Sequence, residues 1–152
     1  MGLYKDEAPL LSSSAAIDEG LGIETSLGSK IIGSFPVILD NLNATTAVNQ
    51  SFFIAPYPVE VVSSNTVYAV NSTSGNMMVE KTPGTTAVGS GNNLQAAVSD
   101  WAANANNTVV AAAIVSTKSF LQLATGDRLS AIFAGTKTGL IGGMVNVVVK
   151  RI

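Results

Sequence analysis

Two residue types that carry much of enzyme chemistry are missing from this sequence: its 152 residues include no cysteine and no histidine. Without cysteine there are no disulfide bonds and no thiolate nucleophiles, and without histidine there is no imidazole general base. Most zinc and transition-metal sites need the same ligands, so only all-oxygen sites for Ca²⁺ or Mg²⁺ remain. We therefore expect a protein that is not an enzyme and that has no cofactor and no metal site.

Charge is also scarce, since charged residues make up 12% of the chain, about half of the ~25% that is typical of soluble domains. The formal net charge is −2 and no basic run occurs, so we expect no nucleic-acid partner. The best candidate for a membrane span is the apolar run 109–115, which is far shorter than the ~20 residues that a spanning helix needs. Residues 1–10 lack the apolar region of a signal peptide. We expect neither membrane insertion nor secretion.

The first part of the chain differs chemically from the rest. Residues 1–40 carry six acids and two bases, a sum of −4, whereas residues 41–152 carry four acids and six bases, a sum of +2. Residues 1–33 show no sustained periodicity. A flexible, solvated terminus is one interpretation of this segment, but its density of apolar residues favours an arm that packs on another surface. We predict an N-terminal arm over residues 1–33 that packs on a partner. Its candidate contact residues are Leu3, Tyr4, Leu10, Leu11, Ile17, Leu21 and Ile23.

From residue 34 onwards the pattern is typical of β-structure. Short segments rich in β-branched and aromatic residues are separated by Gly, Asn and Pro, at a spacing of roughly 8–14 residues. Prolines at 36, 56 and 58 favour edge strands or strand starts over central strands. In the last segment Val145, Val147 and Val149 share one face. We predict a mainly β domain over residues 34–152, an antiparallel β-sandwich with a jelly roll as the leading topology.

Two segments of this domain carry more specific predictions. Residues 93–102, "NLQAAVSDWA", place Leu94, Ala97, Val98 and Trp101 at helical spacing, which predicts a short helix covering one end of the β-core. We expect at most one or two short helices in the chain. Residues 72–76, "STSGN", lie between two segments of strand-like composition and predict a turn.

The most conspicuous charged pair is Asp127-Arg128, which follows Gly126 in "LQLATGDRLSAIF". Adjacent residues of a strand point to opposite faces, so the two side chains would not act together on a substrate. Glycine permits a tight turn, and aspartate bonds readily to nearby backbone N–H groups. We interpret the stretch as a corner between strands, with Leu129 and the apolar residues after it entering the core.

Other candidate sites give weaker signals. Three carboxylates of the β-region, Glu60, Glu80 and Asp100, could supply a hydrolase pair, but nothing in their spacing selects one, and isolated strand carboxylates are usually solvated. Aromatic faces can stack on sugars, so a second hypothesis is a sugar-binding platform. Its residues would be Tyr4, Tyr57, Tyr68 and Trp101. A place for Trp101 in the core or in an interface is the alternative.

Four stretches together resemble a known group of proteins. They are "FFIAPYPVEVVSSNTVYAV" (52–70), "NSTSGNMMVEKTPGTTAVGSGNNL" (71–94), "LQLATGDRLSAIF" (121–133) and "GGMVNVVVKRI" (142–152). In the order of its elements, the segment 52–152 resembles tailed-bacteriophage virion proteins with jelly-roll-like folds. These are head decoration (cement) proteins and the β-domains of head fibres and other appendages.

The resemblance implies a noncatalytic structural protein that decorates and stabilises a capsid. Its partner would be the major capsid protein, its oligomer a trimer, and its location the outer capsid surface of the virion, after synthesis in the host cytoplasm. The arm and the β-domain would bind neighbouring capsid subunits. The alternative is a receptor- or glycan-binding β-module of a head fibre or tail appendage, in which case a glycan would be the partner.

Overall fold

The computed structural model describes residues 33–152 and, before them, the backbone of two short strands. These strands, β1 (Ile23–Glu24) and β2 (Lys30–Ile31), pair antiparallel, with Ile23 opposite Ile31. The predicted contact residue Ile23 is therefore described in its backbone alone. The other predicted arm contacts lie outside the described residues; they are Leu3, Tyr4, Leu10, Leu11, Ile17 and Leu21.

The described part of the domain is built from strands and one helical turn. In chain order they are β3 (Ser34–Leu42), β4 (Gln50–Ile54), β5 (Val59–Val67), β6 (Asn76–Thr82), β7 (Asn92–Asn93), β8 (Ser99–Asp100), β9 (Val110–Ala112), α1 (Lys118–Leu121), β10 (Gln122–Leu123), β11 (Arg128–Ala134) and β12 (Gly143–Arg151). The predicted mainly β fold with very little helix is confirmed.

The strands form two antiparallel sheets with the connectivity of a jelly roll. The first sheet has the order β10-β5-β12-β3, and β9 pairs with the far end of β5. The second has the order β4-β11-β6-β7, and β8 pairs with the far end of β6. From β3 to β6 each strand lies in the sheet opposite its predecessor, and β11 and β12 alternate in the same way. Each sheet thus has four strands in its main order and a fifth short strand, and the crossing between the two main orders is the double Greek key of a jelly roll.

The core lies between the sheets because the long strands alternate apolar and polar residues. In β12 the three valines 145, 147 and 149 are buried, whereas Met144 and Lys150 are exposed. In β11 the buried residues Leu129, Ala131 and Phe133 point to the same interior. A strand places alternate residues on opposite faces, so these two short patterns are enough to orient both sheets. The predicted core positions of β11 are confirmed, and so is the prediction that Val145, Val147 and Val149 share one face.

One side of the sandwich is closed by residues 92–100, where the sequence predicted a helix. That prediction is wrong: the segment is extended and contributes β7 and β8 to the edge of β6. Gln95 is buried and links the sheets, since its Oε1 accepts from the Val79 N–H (3.2 Å) and its Nε2 donates to Ser64 Oγ (3.1 Å). An amide in the core needs both partners. The extended backbone of this segment allows Gln95 to form both hydrogen bonds. Strand pairing with β6 therefore overrides the helical spacing of the apolar residues in the segment.

The opposite side is bounded by the edge strands β3 and β4. Pro36 lies within β3, which confirms its predicted edge position, and Pro56 and Pro58 lie between β4 and β5. Proline lacks an N–H donor, and a proline on an outer edge discourages the addition of further strands. The segment 72–76 connects β5 to β6, which belong to different sheets. It therefore carries the chain across the sandwich and does not form a hairpin.

Candidate functional site

The outward side of the first sheet presents a band of apolar side chains to solvent. We call this surface the outer face and define it by Ile38, Val62, Met144, Asn146 and Val148. Three of these side chains are well exposed: Ile38 by 51%, Val62 by 42% and Met144 by 36%. They lie on the adjacent strands β3, β12 and β5. Scattered apolar residues are common on surfaces, but a group on one sheet face is typical of an interaction site.

The pairing of β12 with β3 fixes the layout of this face. Asn146 lies opposite Ile38, and Val148 lies opposite Pro36. Charge enters at one end of the band, where Lys150 Nζ and Glu60 Oε1 lie 3.5 Å apart. An ion pair this exposed contributes little to stability, but it gives the apolar band a polar end, as is usual at the rim of a protein interface.

A cavity of about 120 Å³ opens on the outer face where β5 ends and β12 begins. Its lining residues are Asn65, Thr66, Val67, Val109, Met144 and Asn146. Two of them carry buried side-chain oxygens without a hydrogen-bond partner, Thr66 Oγ1 and Asn146 Oδ1. Such atoms are rare in folded proteins, because an unpaired buried polar atom costs roughly 1–3 kcal/mol.

The outward side of the second sheet is different, because a loop covers part of it. The buried Glu80 carboxylate holds this loop: Oε1 accepts from the Gly89 N–H (2.7 Å) and Oε2 accepts from the Gly91 N–H (3.0 Å). The Thr82 hydroxyl also donates to Oε1 at 2.8 Å. The expectation that isolated strand carboxylates are solvated is therefore wrong for Glu80, which is 2% exposed. Sequence alone did not reveal that the glycine-rich loop folds back onto it.

The network around Glu80 continues through hydroxyl groups to Arg128. Ser130 Oγ lies 2.8 Å from both Thr82 Oγ1 and Ser51 Oγ. The Arg128 guanidinium donates to Ser51 Oγ (3.3 Å) and to the Thr86 carbonyl of the covering loop. These side chains bond to one another and to the loop backbone. The arrangement can fix the loop against the sheet.

Asp127 and Arg128 point to opposite sides, as the sequence predicted. Asp127 Oδ2 accepts from the Ala124 N–H (2.9 Å) and lies 3.4 Å from Lys81 Nζ. Lys81 also donates to the Gln122 carbonyl at 2.6 Å, which joins the second sheet to β10 of the first. Gly126 has φ +88°, a conformation that glycine adopts at little cost. The stretch is a corner that ties the ends of the two sheets together.

The sugar-binding platform that the sequence suggested is not present on the surface, because two of its four aromatic residues, Tyr68 and Trp101, are buried. Trp101 and Tyr68 are each 2% exposed, and their rings pack at 6.3 Å between centroids. Trp101 also packs on Phe133 at 5.6 Å. Burial raises the pKa of Tyr68; the hydrogen bond from Asn104 opposes this increase, and the negative charge of Asp100 adds to it. These aromatic residues belong to the core. Tyr57 is half-buried, and Tyr4 lies outside the described residues.

The described residues form neither a metal cluster nor a membrane-spanning helix. Among residues 33–152 and the two short strands before them, no cluster of three or more acidic side chains could hold a metal ion. In the same part of the chain, no helix has the length and apolar character to span a bilayer.

The outer face was not identified from the sequence. The alternation in β12 placed Asn146, Val148 and Lys150 on one side, but the partner strands needed to make a surface were unknown. Comparisons with protein-family models, with curated proteins and with solved structures find no match for this chain.

Proposed function

We propose that this chain is a noncatalytic structural protein that binds another protein surface through its outer face. The observation that carries the proposal is the exposed apolar group Ile38, Val62 and Met144 on three adjacent strands. Burying a side chain of this size fully is worth about 1.5–3 kcal/mol. Because these three are about half exposed, their burial on binding would contribute a gross gain of roughly 3 kcal/mol. A gain of this size would make these three residues hot spots of an interface, but a stable interface would need further contacts.

Within this class, we propose a capsid-decorating role on the outer surface of a virion. The support is the resemblance of residues 52–152 to phage head proteins, together with the jelly-roll strand order. A shell presents many identical sites, so a contact of modest strength gains by repetition when the decorating protein is oligomeric. A trimer with the major capsid protein as partner fits this role. Residues 1–33, with their apolar groups, would add a second contact.

The alternative of a receptor- or glycan-binding module has weaker support. It rests on the Asn/Ser/Thr-rich loops and on the Tyr/Trp set, and two of the four named aromatic residues, Tyr68 and Trp101, are in the core. A glycan array with the whole chain separates the two functions, because a decoration protein without glycan affinity would give no signal.

The proposed function is tested with a charge placed on the outer face. Ile38→Lys introduces a cation where Ile38 is 51% exposed on an edge strand, so folding should be preserved. The matched control is Ile54→Lys, because Ile54 is 64% exposed on β4 of the second sheet. Both variants are mixed with capsid particles of the virus that encodes the chain and are sedimented.

We expect Ile38→Lys to lose at least about tenfold in affinity, since burying an unpaired charge is costly, while Ile54→Lys binds as the unmodified chain does. Equal binding by both variants would contradict the role of the outer face. Deleting residues 1–33 tests the arm separately, and undiminished binding of that deletion variant would remove the arm from the proposal.

A further inference from the structure

The side of the sandwich that residues 92–100 cover is joined to the first sheet along only part of its length. The Ala96 N–H donates to the Ala113 carbonyl at 2.8 Å. Gln95 lies opposite Ile114 in the same short antiparallel bridge. This bridge connects the edge of one sheet to the edge of the other.

Beyond the bridge, the two chain segments part. If the pairing continued in the same antiparallel register, Val98 would lie opposite Ala111 and Asp100 opposite Val109. Instead, β8 pairs with β6 and β9 pairs with β5, so the two segments follow different sheets. Among the described residues, no backbone hydrogen bond joins β8 to β9. The result is an opening between two strand edges.

On the second sheet, unpaired backbone groups face this opening. The Trp101 N–H donates to the Gly75 carbonyl beside β6 at 2.9 Å. Successive residues of a strand direct their N–H and C=O groups to opposite sides. The backbone groups of Asp100 therefore point away from β6, and those of Val98, two residues earlier, do the same.

On the first sheet, β9 presents a matching edge. The Ala113 carbonyl is turned towards Ala96, so the backbone groups of Ala111, two residues earlier, are turned the same way. Those of Ala112 are turned to its partner Ser64 in β5. A strand edge with unpaired donors and acceptors is a template for pairing with another chain.

A cavity of about 220 Å³ lies in this opening. Small apolar residues form much of both walls, Ala97 and Val98 on one side and Ala111 and Ala112 on the other. The volume corresponds to roughly seven water molecules at their liquid volume of about 30 Å³. This space suits a short stretch of extended backbone that carries small side chains.

Asp100 is the one charged residue that lines the opening. Its Oδ1 accepts from the N–H groups of Ala102 (2.9 Å) and Ala103 (3.3 Å). Within the described residues, no cation lies at ion-pair distance from this carboxylate. A cationic side chain on an incoming segment would supply the missing opposite charge.

We propose that this opening receives an extended segment of a protein partner, which pairs through its backbone with β8 and β9 and places a lysine or arginine near Asp100. Strand addition of this kind draws its affinity from main-chain hydrogen bonds. The parted edges select a polypeptide backbone, the small residues of the walls select short side chains, and the carboxylate selects a cation. The site shares no residue with the outer face and does not depend on the capsid-decorating role.

The first test is a peptide titration of the full chain, followed by nuclear magnetic resonance. The probe is acetyl-Ser-Ala-Lys-Ala-Ser-amide, and the matched control is the same peptide with N-methyl groups on both alanines, which removes two backbone donors. We expect the unmethylated peptide to shift the amide resonances of Val98 and Ala111 in a saturable way and to slow their hydrogen exchange. The methylated peptide should bind at least about fivefold more weakly. Equal affinity of the two peptides, or no response to the first, would overturn the proposal.

Ala111→Pro tests the β9 edge from the side of the protein. Proline removes the N–H that faces the opening, and an edge strand tolerates it where that N–H makes no ladder bond. We expect this variant to keep its fold and to lose the saturable response to the peptide. Unchanged affinity of a folded Ala111→Pro variant would rule out pairing with β9. Should the variant fail to fold, the methylated peptide still tests the pairing.

Asp100→Asn tests the choice of a cation, because asparagine keeps Oδ1 as an acceptor and removes the charge. We expect the lysine peptide to bind this variant roughly two- to fivefold more weakly, as for an exposed ion pair. A peptide with norleucine in place of lysine should bind the variant and the unmodified chain equally. If the lysine peptide also binds both equally, the assignment of a basic side chain is wrong.

Two competing occupants are separated by the same resonances. The proposal requires fast exchange of the Val98 and Ala111 amides in the free full chain and slow exchange with the peptide. If these amides exchange slowly in the free chain and quickly after deletion of residues 1–33, the chain fills its own opening and the proposal is wrong. If their resonances shift with protein concentration alone, the occupant is a second copy, which would also overturn it.

Discussion

Replacing Glu80 with glutamine tests how the covering loop is held. The carboxylate accepts three hydrogen bonds, from Gly89 N–H, Gly91 N–H and the Thr82 hydroxyl. Glutamine has the same shape but only one oxygen, so its NH₂ group must face at least one of these donors. In the better orientation the oxygen keeps Gly89 and Thr82, and the NH₂ group faces the Gly91 N–H.

The cost follows from this geometry. Hydrogen bonds to a charged group contribute about 1.5–3 kcal/mol each, and those between neutral groups about 0.5–1.5 kcal/mol. One charged bond is lost and two become neutral, which sums to roughly 3.5–6 kcal/mol. Removing a buried charge recovers part of this, because its desolvation penalty disappears. We expect a net loss of about 2–4 kcal/mol in the free energy of unfolding, or roughly 4–16 °C in Tm for a domain of this size.

The assay is chemical and thermal denaturation, with amide hydrogen exchange at Gly89 and Gly91 as a local measurement. Glu60→Gln is the matched control, because Glu60 forms an ion pair with Lys150, whose side chain is 46% exposed. That control should cost under about 1 kcal/mol. If the two variants are equally stable and the loop amides exchange as slowly as before, the buried carboxylate does not hold the loop.

Two further predictions concern residues near this network and in the core. Gly91→Ala should destabilise by about 2–4 kcal/mol in denaturant titrations, because its Cβ would lie 2.2 Å from the Lys81 carbonyl oxygen; Gly84→Ala, with open space around its Cβ, should cost less. Tyr68 has a raised pKa in the folded protein, so the native state holds this proton more tightly than the unfolded chain does. The resulting stabilisation is complete below about pH 10 and is lost as the pH rises further. Unfolding midpoints measured above pH 10 should therefore fall more steeply for the unmodified chain than for Tyr68→Phe, and parallel pH profiles would contradict this.

The sequence predicted best those strands in which buried and exposed residues alternate along the strand itself. In β12 the alternation of Val145, Val147 and Val149 with polar or exposed neighbours matches the burial in the structure. The same is true of β11, where Leu129 and Phe133 are buried. Successive side chains of a strand point to opposite faces, so this alternation of burial does not depend on which strands are its neighbours.

The segment 93–102 shows where local pattern fails. Leu94 and Trp101 are buried as a helix would require, but Val98 is 46% exposed. Each of these two residues directly follows a short strand, β7 or β8, and the two strands pair with separate parts of β6, which lies outside the segment. Long-range pairing of this kind overrides intrinsic preference.

The candidate site was the least predictable part, because it exists only after the sheets have formed. Ile38 and Asn146 are more than a hundred residues apart in sequence, yet they are paired across β3 and β12. The Asp127-Arg128 corner was predictable, since Gly126 and Asp127 act within a few residues of each other. The Glu80 network was not, because its backbone donors come from a loop whose path the composition does not specify.

Methionine oxidation tests directly whether the outer face binds a partner. Met144 lies on the outer face and is 36% exposed, while Met78 is half-buried in β6 of the second sheet and serves as an internal reference. Free protein and capsid-bound protein are exposed to the same peroxide dose, and sulfoxide at each methionine is quantified by mass spectrometry. If the outer face is the binding surface, capsid binding slows oxidation of Met144 several-fold relative to Met78. Oxidation of Met144 at the same relative rate in both states would contradict it.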